Sequence, residues 1–258
     1  MSVVSMLTSA GPRALACALC LSAPPAVAET EVPCPDSALR VVMLGDSLAD
    51  GLWGSLYRTY ARCETVDVVR LTEVSDGLAK TADDEWIERY DENANGYDTK
   101  VTDVVVVQIG ANDITTIRNG TTRESFATDV WNAMYSKRVD ALANGLRDRA
   151  AALYWVGLPI VGNTEFEGPY QSISKMQAET VKAAGGTFVD IHELTKFGTE
   201  AFSMNGEFAG DMQKLRASDQ IHFTTSGYDY VAGAFLKDLA ELLSDLDRRA
   251  ALQDVQLQ

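Results

Sequence analysis

Histidine is scarce in this chain: His192 and His222 are the only two in 258 residues. Two imidazoles are few for a catalytic metal, and no His-Glu-x-x-His run or cysteine pair at zinc spacing accompanies them. Neither a metal site nor a cofactor is therefore expected. A glycine-rich phosphate loop and a dinucleotide fingerprint are also missing, which argues against nucleotide chemistry. Basic residues are outnumbered, with 22 Lys and Arg against 37 Asp and Glu, for a formal net charge of −15. Such a chain repels phosphate backbones, so nucleic acid is excluded as a partner. No apolar run is long enough to span a bilayer. Repeats, low-complexity tracts and linkers rich in Pro, Gly or Ser are absent too, so one domain is the simplest organisation.

What is present begins with a distinct N-terminal segment. Arg13 is the only charged side chain before Glu29, an apolar run follows it at 14–21, and Pro24 and Pro25 precede Ala26-Val27-Ala28. This order matches a cleavable secretory signal peptide over residues 1–28, which implies a periplasmic or secreted protein. A lipoprotein signal around Cys17 fits less well, because the apolar stretch follows that cysteine instead of preceding it. Residues 29–258 then form a single domain, with a polar, frayed tail from about 247. Of the four cysteines, Cys34 and Cys63 lie beyond the signal. An even pair in an oxidising compartment favours a disulfide.

Apolar residues make up 46% of the chain, enough for a real core. Short apolar runs at 39–44, 66–71, 103–109, 153–158 and 187–191 read as five strands. The run at 103–109 is nearly unbroken in β-branched residues, as in a strand buried on both faces. Helical stripes alternate with them: Leu48, Leu52, Leu56 and Tyr60; then Val139, Leu142, Leu146 and Ala150. Val231, Phe235, Leu239, Leu242 and Leu246 line a long final helix. Strand-helix alternation implies right-handed βαβ units and a parallel sheet between helical layers. In this scheme Cys34 and Cys63 both fall at the N-terminal edge of the sheet. Segment 79–100 is acidic and turn-rich, with a helical turn or two at 84–90. Segment 194–220 reads as a long connection whose Phe197, Phe202 and Phe208 wall a pocket.

Ligands of open α/β sheets bind at the carboxyl ends of the strands. The first strand ends in Gly45-Asp46-Ser47-Leu48 with a helix starting at once, so Ser47 can be a nucleophile beside free helix N–H groups. It also fits, with Asp50, a plain capping box. Gly77 follows the second strand and reads as a bare N–H donor or as a turn glycine. Asn112, in Gly110-Ala111-Asn112-Asp113 after the third strand, reads as an amide donor or an Asx-turn. In Asp219-Gln220-Ile221-His222, the aspartate can fold back on Nδ1 of the histidine, leaving Nε2 to take a serine proton. His192, in Asp190-Ile191-His192-Glu193, is the rival base or a loop histidine.

Taken in order, these four islands resemble the four blocks of the SGNH (GDSL) hydrolase superfamily. The strings from Gly45 to Trp53, Tyr154 to Ile160 and Ile221 to Thr224 look like one bacterial branch, known mostly as an exported domain of unknown function. The resemblance implies a flavodoxin-like three-layer α/β/α sandwich around a five-stranded parallel sheet. It further implies Ser47 as nucleophile, His222 as general base and Asp219 as its orienter, with an oxyanion hole from the N–H groups of Ser47 and Gly77 and the side chain of Asn112. The activity implied is esterase chemistry on a small ester or acylated glycan. O-acyl transfer to a glycan through the same site is the alternative, and a non-catalytic binding module is a third.

Overall fold

The computed structural model describes residues 32–94 and 96–256, so the segment read as a signal peptide lies outside the described residues. In chain order the elements are β1 (Leu39–Gly45), α1 (Ser47–Tyr60), β2 (Val66–Thr72), α2 (Asp83–Glu92), α3 (Thr99–Thr102), β3 (Asp103–Gln108), β4 (Ile117–Asn119) and β5 (Thr122–Glu124). There follow α4 (Asp129–Arg149), β6 (Ala152–Val156), α5 (Thr164–Ala183), β7 (Thr187–Val189), β8 (Asn205–Phe208), β9 (Asp211–Lys214), α6 (Thr225–Ala232) and α7 (Leu236–Gln256).

The five expected strands form one parallel sheet in the order β2-β1-β3-β6-β7. β1 pairs with β2 on one side and β3 on the other, so the chain winds outward both ways from it. This is the doubly wound flavodoxin-like order, and its reversal beside β1 opens a crevice at the carboxyl edge between β1 and β3. The central strands are apolar because both faces are covered: Val104, Val105, Val106 and Val107 are wholly buried. Burying each such valine contributes roughly 1.5–3 kcal/mol. Helix α1 packs against α6, and α4 against α2 and α5, giving the two helical layers.

Close approach fixes the end of β1. Gly45 has φ of +140°, and a Cβ there would lie 1.9 Å from the carbonyl oxygen of Gln108 on β3. Only glycine lets the chain turn out of the sheet so near its neighbour.

Several expectations need correction. The last helical stripe is two helices, α6 and α7, interrupted around Gly233. Helix α7 runs on to Gln256, past the start of the polar tail at 247, and the Asp247 carboxylate accepts the N–H groups of Asp36 and Ser37 at 3.1 and 2.6 Å. That carboxylate caps the chain ahead of β1, a long-range contact that local polarity conceals. Segment 194–220 is not structureless, because β8 and β9 form an antiparallel hairpin within it. A second small hairpin, β4-β5, follows β3. Among the described residues no helix is long and apolar enough to cross a membrane.

Cys34 and Cys63 are joined by a disulfide, with Cα atoms 5.2 Å apart and a sequence separation of 29. Cys34 precedes β1 and Cys63 follows α1, so the bond lies at the end of the sheet opposite the carboxyl edge. Cross-linking a loop of this length removes about 3–4 kcal/mol of unfolded-state entropy. Reduction should therefore lower the melting temperature by roughly 10 °C while activity at 25 °C persists. Unchanged calorimetric melting after verified reduction would contradict this.

Candidate active site

Ser47 is the first residue of α1, and the residue before it is the cap. Asp46 is extended (φ −91°, ψ −157°), and its Oδ1 accepts the Leu48 N–H at 2.9 Å. The capping-box reading of Ser47 is thus displaced: Asp46 caps the helix. Asp50 turns away to accept from Thr72 Oγ1 at 2.7 Å and from Arg70 Nε at 2.6 Å. The Ser47 hydroxyl is left for other work. Its Oγ lies 2.8 Å from His222 Nε2.

His222 arrives on the turn before α6. Asp219 Oδ2 sits 2.7 Å from His222 Nδ1, while its Oδ1 accepts the N–H groups of Ile221 and His222 at 2.9 and 3.0 Å. Partial burial tends to raise the Asp219 carboxyl, but these N–H groups and the imidazole outweigh it and hold it below its ordinary value. The carboxylate thus stays ionised at neutral pH, as an acceptor for Nδ1–H. Ser47, His222 and Asp219 are all in reach of solvent.

The glycine and asparagine loops meet beside this pair. Asn112 Nδ2 donates to the Asp76 carbonyl at 3.0 Å. An amide carries two N–H donors, so one can hold Asp76 while the other addresses a ligand. Gly77 is buried, and its N–H contacts the adjoining Asp76 carboxylate at 2.7 Å. For Gly77 to donate to an oxyanion, that carboxylate must give the N–H up; Thr81 Oγ1 at 2.8 Å and Arg89 Nη2 at 3.6 Å are its other partners. A Cβ on Gly77 would lie 2.2 Å from Asp113 Oδ1, so the residue must be glycine for packing reasons alone.

Two functional carboxylates were not singled out by the sequence. Asp46, wholly buried, accepts from Gly110 and Ala111 N–H with its Oδ2, both at 3.0 Å, in addition to Leu48. Asp113, also wholly buried, accepts from Leu78 and Ala79 N–H at 3.2 and 2.8 Å and from the Tyr135 hydroxyl at 2.8 Å. Burial pushes Asp46 up to about 7 and Asp113 up to about 6, against the N–H and hydroxyl groups that hold them down. The available signal was their position within the serine and asparagine blocks, where each resembles an ordinary cap.

With this geometry in view, a family model described as protein of unknown function (DUF459) matches residues 40–238. The chain belongs to this family. No curated protein matches it. Solved structures do. A lipase/acylhydrolase from Enterococcus faecalis superposes with a TM-score of 0.51 at 17% identity, over 79% of this chain and 96% of its own. A G-D-S-L family lipolytic protein from Veillonella parvula gives 0.54 at 13%, over 78% and 97%. An acetylxylan esterase from Geobacillus stearothermophilus gives 0.52 at 16%, over 81% and 95%. At such identities the likeness is one of fold, and the fold of this DUF459 chain is that of the SGNH hydrolases.

His192 sits elsewhere. Its Nε2 is 2.6 Å from Glu167 Oε1 and its Nδ1 3.3 Å from Glu193 Oε1. Two of the three phenylalanines expected to wall a pocket instead pack on α6: Phe197 and Phe208 both meet the Tyr230 ring edge-on. Each of these rings gains more from burial against the aromatic side chain of Tyr230 than from facing water.

The buried carboxyls make stability depend on pH. Their folded pKa values exceed the free value of 3.8, so the folded state binds the extra protons. Their contribution is fully present below about pH 4 and is lost as pH rises through 6 and 7. In urea unfolding, the stability of wild type relative to Asp113→Asn should fall by a few kcal/mol between pH 4 and 8. A difference independent of pH would show that Asp113 does not titrate in this window.

Proposed function

We propose that this DUF459 protein is a serine esterase that cleaves O-acyl esters. The observation carrying this reading is the chain of contacts Asp219 Oδ2–His222 Nδ1 at 2.7 Å and His222 Nε2–Ser47 Oγ at 2.8 Å. Distances of this kind, with the base oriented by a carboxylate, are the geometry of an activated nucleophile. The fold similarity to a lipase/acylhydrolase and an acetylxylan esterase supports it.

In this mechanism Ser47 Oγ attacks the ester carbonyl as its proton passes to His222 Nε2. Asp219 holds the imidazole tautomer and stabilises the imidazolium. The oxyanion forms near the N-terminus of α1, where the Ser47 N–H and the Asn112 amide can donate to it; Gly77 joins them if Asp76 releases its N–H. Collapse breaks the bond to the leaving alcohol, which takes the proton from His222. Water, deprotonated by the same imidazole, then releases the acid and regenerates Ser47. The substrate we favour is an acylated glycan outside the cytoplasm, a reading supported by the secretory pattern at 1–28, the Cys34–Cys63 bond and the acetylxylan esterase likeness.

Ser47→Ala and His222→Ala should each reduce turnover of p-nitrophenyl acetate by about 10³-fold or more, and the double variant should be little worse than either. His192→Ala should stay within several-fold of wild type. An inactive His192→Ala protein alongside an active His222→Ala protein would refute the assignment. Asn112→Ala should lower kcat by roughly 10²–10³-fold with its fold intact; an undiminished rate would remove Asn112 from the oxyanion site. Millimolar glycan added to the assay tests the acceptor, since acylated sugar exceeding free acid would make the enzyme a transferase.

A further inference from the structure

Arg216 stands in the segment between β9 and His222, bridged to Phe223, and it is wholly buried. Its Nη2 donates to three carbonyl oxygens: Ile160 at 2.8 Å, Gln220 at 3.1 Å and Ile221 at 3.0 Å. The guanidinium carbon lies 4.2 Å from the Phe223 ring centre and 5.2 Å from that of Phe202. Nε and Nη1 have no hydrogen-bond partner among the described residues. The hydrogen bonds of this cation thus go to carbonyls and not to a carboxylate. Burial pulls the guanidinium down to about 10, still protonated at neutral pH.

A buried charge without a paired counter-charge is costly, and the fold could satisfy three carbonyls more cheaply with neutral donors. The carbonyls it gathers explain its presence. Gln220 and Ile221 lie between Asp219 and His222, and Ile160 belongs to the loop after β6. Gln220 has φ of +65°, a left-handed conformation that a side-chain-bearing residue adopts at a cost of about 1–2 kcal/mol. Such a turn persists only where its surroundings hold it. Besides Arg216, the Gly162 N–H reaches the Gln220 carbonyl at 3.3 Å, and the Ala217 N–H reaches the His222 carbonyl at 2.8 Å.

We propose that Arg216 is the positioning residue of the site: its guanidinium ties the Asp219–His222 turn to the loop after β6, and so keeps His222 Nε2 in line with Ser47. The aromatic faces of Phe202 and Phe223 offset part of the cost of burying the charge. Phe202 thus has a role unlike that of the other two phenylalanines. The inference rests on the serine esterase reading, and the test separates the two.

Arg216→Met keeps the apolar stem and removes the charge and the donors. At 15 °C, kcat on p-nitrophenyl acetate should fall by about 10²-fold, the loss expected from a misplacement near 1 Å, with KM within about threefold. The rate at which a fluorophosphonate labels Ser47, expressed per titratable site, should fall in parallel. Arg216→Lys, whose ammonium has three donors for the three carbonyls, should recover most of both rates. A merely structural role would lower the number of titratable sites and leave the rate per site unchanged. Per-site labelling of Arg216→Met within threefold of wild type overturns the positioning role. If the Met variant does not fold, Arg216→Gln, neutral and too short to span the three carbonyls, is measured in its place and judged by the same criterion. Wild-type protein that is not labelled at Ser47 would sink the esterase reading itself.

Discussion

The arrangement depends first on one buried carboxylate. Asp46 takes Leu48 N–H on one oxygen and Gly110 and Ala111 N–H on the other. A single side chain thereby clamps the start of α1 to the loop after β3, and so fixes Ser47 relative to Asn112. Asp113 repeats the device one loop further out, joining Leu78 and Ala79 to Tyr135 on α4. Gln177 on α5 extends the network, donating to the Tyr135 hydroxyl at 3.0 Å and to the Ile109 carbonyl at 2.7 Å. Leaving these carboxylates unpaired would cost several kcal/mol each, so their N–H and hydroxyl donors are structural necessities. Breaking one contact leaves a buried polar group unsatisfied, so these two side chains couple the three loops energetically.

The site is therefore braced by buried groups and open to solvent at Asp219. Asp46 and Asp113 are inaccessible and aimed at backbone, so they shape the donor array without meeting substrate. Asp219 is about half exposed and aimed at the imidazole. The strained residue Gln220 lies between these regimes. Its turn is short because Asp219 must reach both its own backbone N–H groups and Nδ1, and a buried cation holds that turn in place. Local strain of this kind is found where the surrounding structure determines the geometry.

What the sequence reveals follows from how each feature is encoded. β1 and β3 were legible because apolar runs rich in branched residues must be buried, and the parallel sheet followed from strand-helix alternation. The hairpins were not, because Asn205–Phe208 and Asp211–Lys214 are four-residue polar strands with no periodicity to detect. The extension of α7 was hidden because its anchor, Asp247 on the backbone of Asp36 and Ser37, is distant in sequence. Ser47 and Asn112 could be named because each follows a sheet strand at its carboxyl end, and Asp219 and His222 because an aspartate three residues before a histidine can fold back on it. Asp46 and Asp113 stand beside them but carry the bland signature of a helix cap. Nothing local distinguishes Arg216 from a surface arginine, since burial of a charge is decided by Phe202, Phe223 and three carbonyls from two separate segments.

The two histidines show where sequence reasoning stops. Each has carboxylates close by in the chain, Asp190 and Glu193 around His192 and Asp219 before His222. Each is in fact paired with a carboxylate at hydrogen-bond distance, so pairing alone cannot tell a base from a structural histidine. What differs is the second nitrogen. His192 has Glu167 at Nε2 and Glu193 at Nδ1, with Gln171 also 3.3 Å from Nε2. Both nitrogens of that ring face carboxylates, so neither is turned toward a nucleophile. His222 divides its nitrogens between a carboxylate and a hydroxyl. That division, one nitrogen on a carboxylate and the other facing a hydroxyl, is what general-base work requires, and in the structure both partners lie within hydrogen-bond distance.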